Sequence, residues 1–368
     1  MPHALADTVH ALRRHLDDVV LPQWRQAGFN AVLGLPHEAI SQEGVPLPDE
    51  RYRAMACARQ LYVHARAPGQ AAAAHATLLF DGLLRHFHDT ASGNWRFSVD
   101  AEARPLDTTQ DLYTYAFVIF ASAVYFGRTR DPRARKAMLS TTQAVEARFR
   151  RPDGGYDAAL SAAGVALRGP EQNPVMHLTE AYLAAARVAE PAWFAQKLRD
   201  IADDVAGRHL DARTQCIAEL PLGTAGNRIE PGHQFEWMAL LQSAPQVYDG
   251  LSLTLAMPRG SLWARGQGVD GSTAGVCAAL DPAGQVRDPL QRIWAQTEYA
   301  RYLALVGDYP ALAGQLAQFR ARFLHDTGWR EVLRPDGELA RADMPATTPY
   351  HLSTCYEALE NVLETLAK

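Results

Sequence analysis

The sequence predicts an all-α protein in which paired helices close into a ring, with short β-hairpins at one mouth. Two observations carry that prediction. A strand-like segment with a glycine-centred turn recurs about every 60 residues, and the stretch between successive hairpins holds two helical patterns. A third supports closure: the first and last helical patterns, 5–27 and 349–366, are left without partners unless they pack on each other.

The recurring segments are 31–47, 94–106, 155–167, 216–229, 275–288 and 328–341, and Gly164, Gly226, Gly284 and Gly337 mark four of the turns. Helical spacing of apolar residues then gives pairs at 48–66 with 70–91, 109–127 with 131–149, 174–189 with 193–210, 233–245 with 247–265, and 289–306 with 308–325. Breaks fall where turn chemistry requires them, at Ala67-Pro68-Gly69, Asp131-Pro132 and Glu190-Pro191. An open superhelix of helical hairpins is the competing arrangement, but it does not call for a hairpin at one end of every pair. Residues 1–368 are therefore expected to form one domain of about twelve helices in six pairs.

Composition narrows the function. A net charge of -5 with scattered arginines gives no basic footprint for nucleic acid. Cys57, Cys216, Cys277 and Cys355 stand far apart, which argues against a disulfide framework or a zinc site and fits a reducing compartment. The N-terminal helix is charged throughout, unlike a signal peptide, and no apolar run approaches a membrane span. A cytoplasmic protein with no membrane partner is the expectation.

Chemically able side chains sit at equivalent points of the repeat, just inside the helix after each hairpin. In order they are Arg53, Tyr113, Asn173 with His177, His233 with Glu236, Trp294 with Glu298, and His351. In a closed ring these helix starts share one mouth and converge on one pocket. Glu236 lies one turn from His233, placed to orient the imidazole or bind a hydroxyl. Trp294 beside Glu298 suits the apolar face and hydroxyls of a sugar. A solitary histidine at a helix start is usually a structural hydrogen bonder, but three at matching positions point to function. His64, His75, His86 and His88 fall outside the pattern and read as surface residues.

The sequence has no G-x-S-x-G elbow, Walker loop or dinucleotide G-x-G-x-x-G, and HQFE lacks the second histidine of H-E-x-x-H. Bases, an arginine and no sign of a metal or cofactor suit proton abstraction beside a carbonyl. A glycosidase would need two carboxylates, for which Glu236 and Glu298 are available, but it leaves the histidines unexplained. A purely sugar-binding protein is the non-enzymatic alternative.

Five motifs then carry a resemblance across nearly the whole chain: R-x5-R-Q-x-Y (Arg53 to Tyr62), N-x-x-M-H-x-x-E-A (Asn173 to Ala181), E-P-G-H-x-x-E (Glu230 to Glu236), W-x-Q-x-E (Trp294 to Glu298) and P-Y-H-L (Pro349 to Leu352). Together they resemble the N-acylglucosamine 2-epimerase superfamily, which implies an (α/α)6 barrel. The N-x-x-M-H form is similar to the aldose–ketose isomerases acting on mannose or sulfoquinovose, and to the cellobiose 2-epimerases. The resemblance implies interconversion of D-mannose and D-fructose, or a related pair such as D-lyxose and D-xylulose, through a cis-enediol; a glucose/mannose or cellobiose 2-epimerase is the alternative. It further implies His351 as the base at C2, His233 as the group that opens the ring and moves protons between O1 and O2, and Arg53 as the cation on the enediolate. His177, Asn173, Tyr113, Glu236, Trp294 and Glu298 would bind hydroxyls or orient the imidazoles. The expected partner is a monosaccharide, with no cofactor and no metal, in a monomer or homodimer.

Overall fold

The computed structural model describes residues 2–48 and 51–366. Its helices are α1 (Pro2–His15), continued through a π-turn at Leu16–Val20 into α2 (Leu21–Arg25), then α3 (Ala54–Arg66), α4 (Gln70–Phe87), α5 (Leu112–Thr129), α6 (Pro132–Ala144), extended by a π-turn at Val145–Phe149, and α7 (Gln172–Ala186). They continue with α8 (Pro191–Arg208), α9 (Pro231–Gln242), α10 (Pro245–Tyr248), α11 (Ser252–Gly268), α12 (Ile293–Leu305), α13 (Tyr309–Phe323) and α14 (Thr348–Leu366). The pairs read from the sequence are all present, with boundaries moved by a few residues. Helix starts follow local chemistry: the Asp111 carboxylate accepts from Thr114 N–H, and Asp131 accepts from Arg133 N–H ahead of a proline at the first turn.

Two concentric layers follow from the burial of each helix. Every residue of α3 from Ala54 to Ala65 is buried, so this helix has no solvent face and belongs inside. In α8 the buried residues are Phe194, Leu198, Ile201, Ala202 and Val205, a single stripe at helical spacing, so it lies outside. Helices α3, α5, α7, α9, α12 and α14 each touch the next, and α14 returns to α3, so the inner ring is closed. Helices α4, α6, α8, α11 and α13 back the inner helices that precede them, and α1 packs on α14 as closure requires. This is an (α/α)6 barrel.

Strand pairing fixes the hairpins over one mouth. The strand entering α3 (Tyr52–Arg53) pairs with the next hairpin at Ser98–Val99, and the strand entering α5 (Gln110–Asp111) pairs with Ala159–Leu160. Gln291–Arg292, entering α12, pairs with Val332–Leu333. The last lead strand, Met344–Pro345, pairs with Ala39–Ile40 from the first hairpin, so the β-layer closes where the helical layer does. The turn glycines Gly164 and Gly284 adopt φ of 82° and 94°, a region that disfavours any side chain. The segment 216–229 forms no strand; it is held by the Asn227 side chain bonding Leu220 N–H and C=O, and by Glu219 N–H on Arg228 C=O.

The surface reading of His64 and His75 is corrected. Both are buried between α3 and α4, 0% and 5% exposed, with rings in edge contact at 4.5 Å. The inner layer buries every side of α3, so a polar residue there has no solvent face to take. Burial, followed by the neighbouring imidazole, holds His64 well below its ordinary 6.5, and burial holds His75 down to about 4. His86 and His88 are half-buried; His86 Nε2 meets Leu33 C=O at 2.8 Å, and His88 packs on Trp95.

Candidate active site

The inner helices begin at 54, 112, 172, 231, 293 and 348, so every sequence-predicted site residue falls in a first or second turn, or caps the helix as Arg53 does. Their N-termini converge under the hairpins, where helix dipoles favour negative charge. Three imidazoles occupy this mouth, all nearly buried, and each has a carboxylate partner.

His351 Nδ1 lies 3.1 Å from Glu298 Oε1, and Glu298 Oε2 accepts from Arg301 Nη1 at 2.6 Å. Burial works against the Glu298 charge, but Arg301 and the His351 contact hold its carboxyl below the ordinary range. An ionised carboxylate only accepts, so Nδ1 of His351 carries the proton and Nε2 presents a lone pair. Burial lowers His351 below 6.5 despite Glu298, leaving it a neutral base.

His233 has the opposite charge state. Its Nδ1 lies 2.7 Å from Glu219 Oε1, with Glu230 Oε2 at 3.8 Å. Glu219 is itself fixed by Gln172 Nε2, which donates to both its oxygens at 2.9 and 3.0 Å, while Gln172 Oε1 accepts from Trp237 Nε1. Burial alone would depress His233, but Glu219 and Glu230 overcome it and raise the imidazole to about 9. At neutral pH it is a cation with an Nε2–H to donate.

Trp294 joins the pair. Its indole stacks on His233 at 4.9 Å and lies 5.7 Å from His351. The expected sugar platform is thus also the packing surface of both imidazoles. Gly232 permits this closeness, since a Cβ there would sit 2.6 Å from Trp294 Cζ3.

His177 lies between the rings of Tyr113 (4.7 Å) and Phe117 (4.8 Å), with Nδ1 3.4 Å from Glu180 Oε2. Burial holds it down to about 4, so it is a neutral hydrogen-bonding group. Glu180 Oε2 also accepts from the Tyr350 hydroxyl. Asn173 Oδ1 is buried without a hydrogen-bond partner.

Two expectations change. Glu236 does not orient His233, a task that falls to Glu219 from the preceding loop. Its Oε1 has no hydrogen-bond partner and lies 4.0 Å from His177 Nδ1, and burial beside Glu298 and Glu180 keeps the carboxyl well above its usual range. Arg53 contacts Glu38: Nε and Nη2 both reach Oε2 at 2.6 Å, and Arg53 N–H reaches Oε1 at 2.7 Å. The arginine inside the barrel wall is Arg59. Its guanidinium lies 4.3 Å from the Phe117 ring centre and 4.8 Å from that of Tyr350, and it donates to the Tyr113 hydroxyl at 2.5 Å. Sequence reading quoted Arg59 within R-x5-R-Q-x-Y without giving it a role. Glu180 likewise stands in N-x-x-M-H-x-x-E-A with no role given to it, and Glu219, Gln172 and Arg301 were not among the expected site residues.

Two clusters bring possible metal-ligand atoms within 4.8 Å of one another: His177 with Glu180 and Glu236, and Glu219 with Glu230 and His233. In the second, a cation would displace the proton that ties His233 Nδ1 to Glu219. Among the described residues no helix is long and apolar enough to cross a membrane.

Two imidazoles in opposite protonation states, one supported by Glu298–Arg301 and one by Glu219–Gln172, thus stand against the same indole. A family model described as N-acylglucosamine 2-epimerase (GlcNAc 2-epimerase) matches residues 36–355. A Rhizobium meliloti (strain 1021) protein named mannose-6-phosphate isomerase is 30% identical over 396 residues, covering 95% of this chain and 96% of its own. A D-mannose isomerase of Thermobifida fusca is 29% identical over 275 residues, 66% of this chain and 65% of its own. Among solved structures, the cellobiose 2-epimerase of Bacillus thermoamylovorans B4167 matches with a TM-score of 0.86 at 16% identity, covering 96% of this chain and 99% of that one. The chain belongs to the N-acylglucosamine 2-epimerase family of enzymes.

Proposed function

We propose that this enzyme is an aldose–ketose isomerase converting D-mannose to D-fructose through a cis-enediol, with no metal. The observation that carries the reading is the divided charge of the two imidazoles on Trp294. Cationic His233 donates its Nε2 proton to the ring oxygen as the C1–O5 bond breaks and then takes the proton released from the O1 hydroxyl, which opens the pyranose to the aldehyde and restores the cation. Neutral His351 then takes the C2 proton on Nε2 and returns it to C1 on the same face, while His233 moves protons between O1 and O2. Arg59, rather than Arg53, meets the enediolate charge, assisted by the helix N-termini. Asn173, His177, Tyr113 and Glu236 supply hydroxyl contacts. A 2-epimerase would return the proton to the opposite face of C2 through the second imidazole, so the product separates the two readings.

The experiment is incubation with mannose in heavy water after EDTA treatment, followed by NMR. Fructose is expected, with deuterium at C1 to the extent that the proton held on His351 exchanges with solvent before its return. Mannose 6-phosphate, the substrate in the name of the Rhizobium relative, is run in parallel. No ketose from either sugar overturns the isomerase reading, a C2-epimeric aldose as main product replaces it, and activity lost on EDTA treatment but restored by a divalent cation refutes metal independence. His351→Ala and His233→Ala should each cost about 10²–10⁴-fold in rate; losses under about tenfold in both refute the acid–base assignment.

A further inference from the structure

The opposite mouth of the barrel holds a second cavity. The C-terminal halves of the inner helices enclose about 640 Å³, enough for a small metabolite. Four arginines (Arg66, Arg128, Arg187, Arg301) line it against two glutamates, Glu180 and Glu357. Helix C-termini concentrate carbonyls and disfavour anions, so the simplest role for arginines here is to neutralise them. That explains Arg128, which donates to the C=O groups of His64, Ala65 and Ala67 at the end of α3. Arg66 is spent on Glu357.

The other two are not accounted for. Arg187 caps α7 with its backbone, but its side chain has no partner among the described residues. Arg301 uses Nη1 on Glu298, while its Nε is buried with no hydrogen-bond partner. Two guanidinium groups that are not fully engaged by carboxylates thus line one cavity, the chemistry that recognises an oxyanion.

We propose that this cavity binds a phosphate-bearing metabolite through Arg187 and Arg301, and that occupancy tunes the acid–base pair at the far mouth. The coupling path is short. Arg301 holds Glu298, which holds His351 Nδ1, and the cavity residue Glu180 contacts both Tyr350 and His177 Nδ1. An anion on Arg301 draws its charge away from Glu298 and so changes the support of the base. Linkage then requires substrate to change anion affinity by the same factor.

The test uses the full chain with inorganic phosphate as probe, titrated calorimetrically against wild type and Arg187→Ala. Arg187 is exposed and outside the catalytic machinery. Saturable binding that weakens about tenfold or more in the variant, with a phosphate-dependent change in kcat that added substrate does not abolish, is expected. Absence of saturable binding, equal affinity in Arg187→Ala, or simple competition with substrate overturns the site; binding with unchanged kcat overturns the coupling. The binding arm is independent of the reaction assigned above. The kinetic arm rests on it and is read only with a sugar that wild type converts.

Discussion

Replacing Glu219 with glutamine removes the charge that keeps His233 cationic while retaining a side chain of similar shape beside Nδ1. The imidazole stands at about 9 against an ordinary 6.5, a difference worth about 3 kcal/mol at ~1.36 kcal/mol per unit. Glu230 at 3.8 Å still favours the cation, but burial opposes it, so His233 should return to about 6.5 or below. At pH 8 the protonated fraction then falls from about nine-tenths to about one-thirtieth, and kcat/KM on an open assay with mannose should drop about thirtyfold. The full pH profile is the stricter assay. Wild type should lose activity at the alkaline end near pH 9, from His233, and at the acid end below 6.5, from His351. In Glu219→Gln only the alkaline limb should move. Stability should follow by linkage: a raised histidine stabilises the fold fully below 6.5 and loses that contribution as pH rises through about 9. The Tm gap between wild type and variant is therefore widest on the mildly acidic side and closes toward alkaline pH. An alkaline limb unmoved in the variant refutes Glu219 as the source of the His233 charge.

Two further outcomes follow from neighbouring side chains. Arg59→Lys keeps a charge but loses the planar fork wedged between Phe117, Tyr350 and Tyr113, and should reduce kcat about 10²-fold with KM little changed, whereas Arg53→Lys should cost less; the reverse order, measured by steady-state kinetics, restores Arg53 as the enediolate cation. Gly232→Ala places a Cβ 2.6 Å from Trp294 Cζ3 and must shift the indole on which both imidazoles pack, so kcat/KM should fall at least about tenfold with about 1–3 kcal/mol lost from stability; unchanged kinetics would show that Trp294 does not position them.

The barrel was legible in the sequence because its signals are local. Ala67-Pro68-Gly69, Asp131-Pro132 and Glu190-Pro191 separate helices through local chemistry, and the hairpin turns need a residue tolerant of positive φ, as at Gly164 and Gly284. What was not legible depends on which way a helix faces. The strands entering α3, α5, α12 and α14 are two residues long and exist only because a hairpin lies against each, as Ala159–Leu160 does against Gln110–Asp111. Likewise, His64 on α3 and His75 on α4 read as surface residues because neither helix alone shows its neighbours; both are buried where the two helices pack together in the ring.

The site divides along the same line. His177, His233, Trp294 and His351, which converge at the mouth, recur near the starts of inner helices and could be singled out by that phase, although the same phase offers Arg53, which pairs with Glu38. The residues that give them their chemistry break the phase. Glu219 lies in a loop between repeats, Arg301 is one turn deeper than Glu298, and Gln172 acts across two helices on Glu219 and Trp237. The repeat makes His233 and His351 alike: both sit in the first turn of an inner helix, nearly buried, with Nδ1 on a glutamate. One is a cation and the other neutral because Glu219 and Glu230 both serve His233, whereas Glu298 divides its charge between His351 and Arg301. The asymmetry that leaves one of two equivalent histidines a cation and the other neutral is thus set by residues that the repeat does not predict.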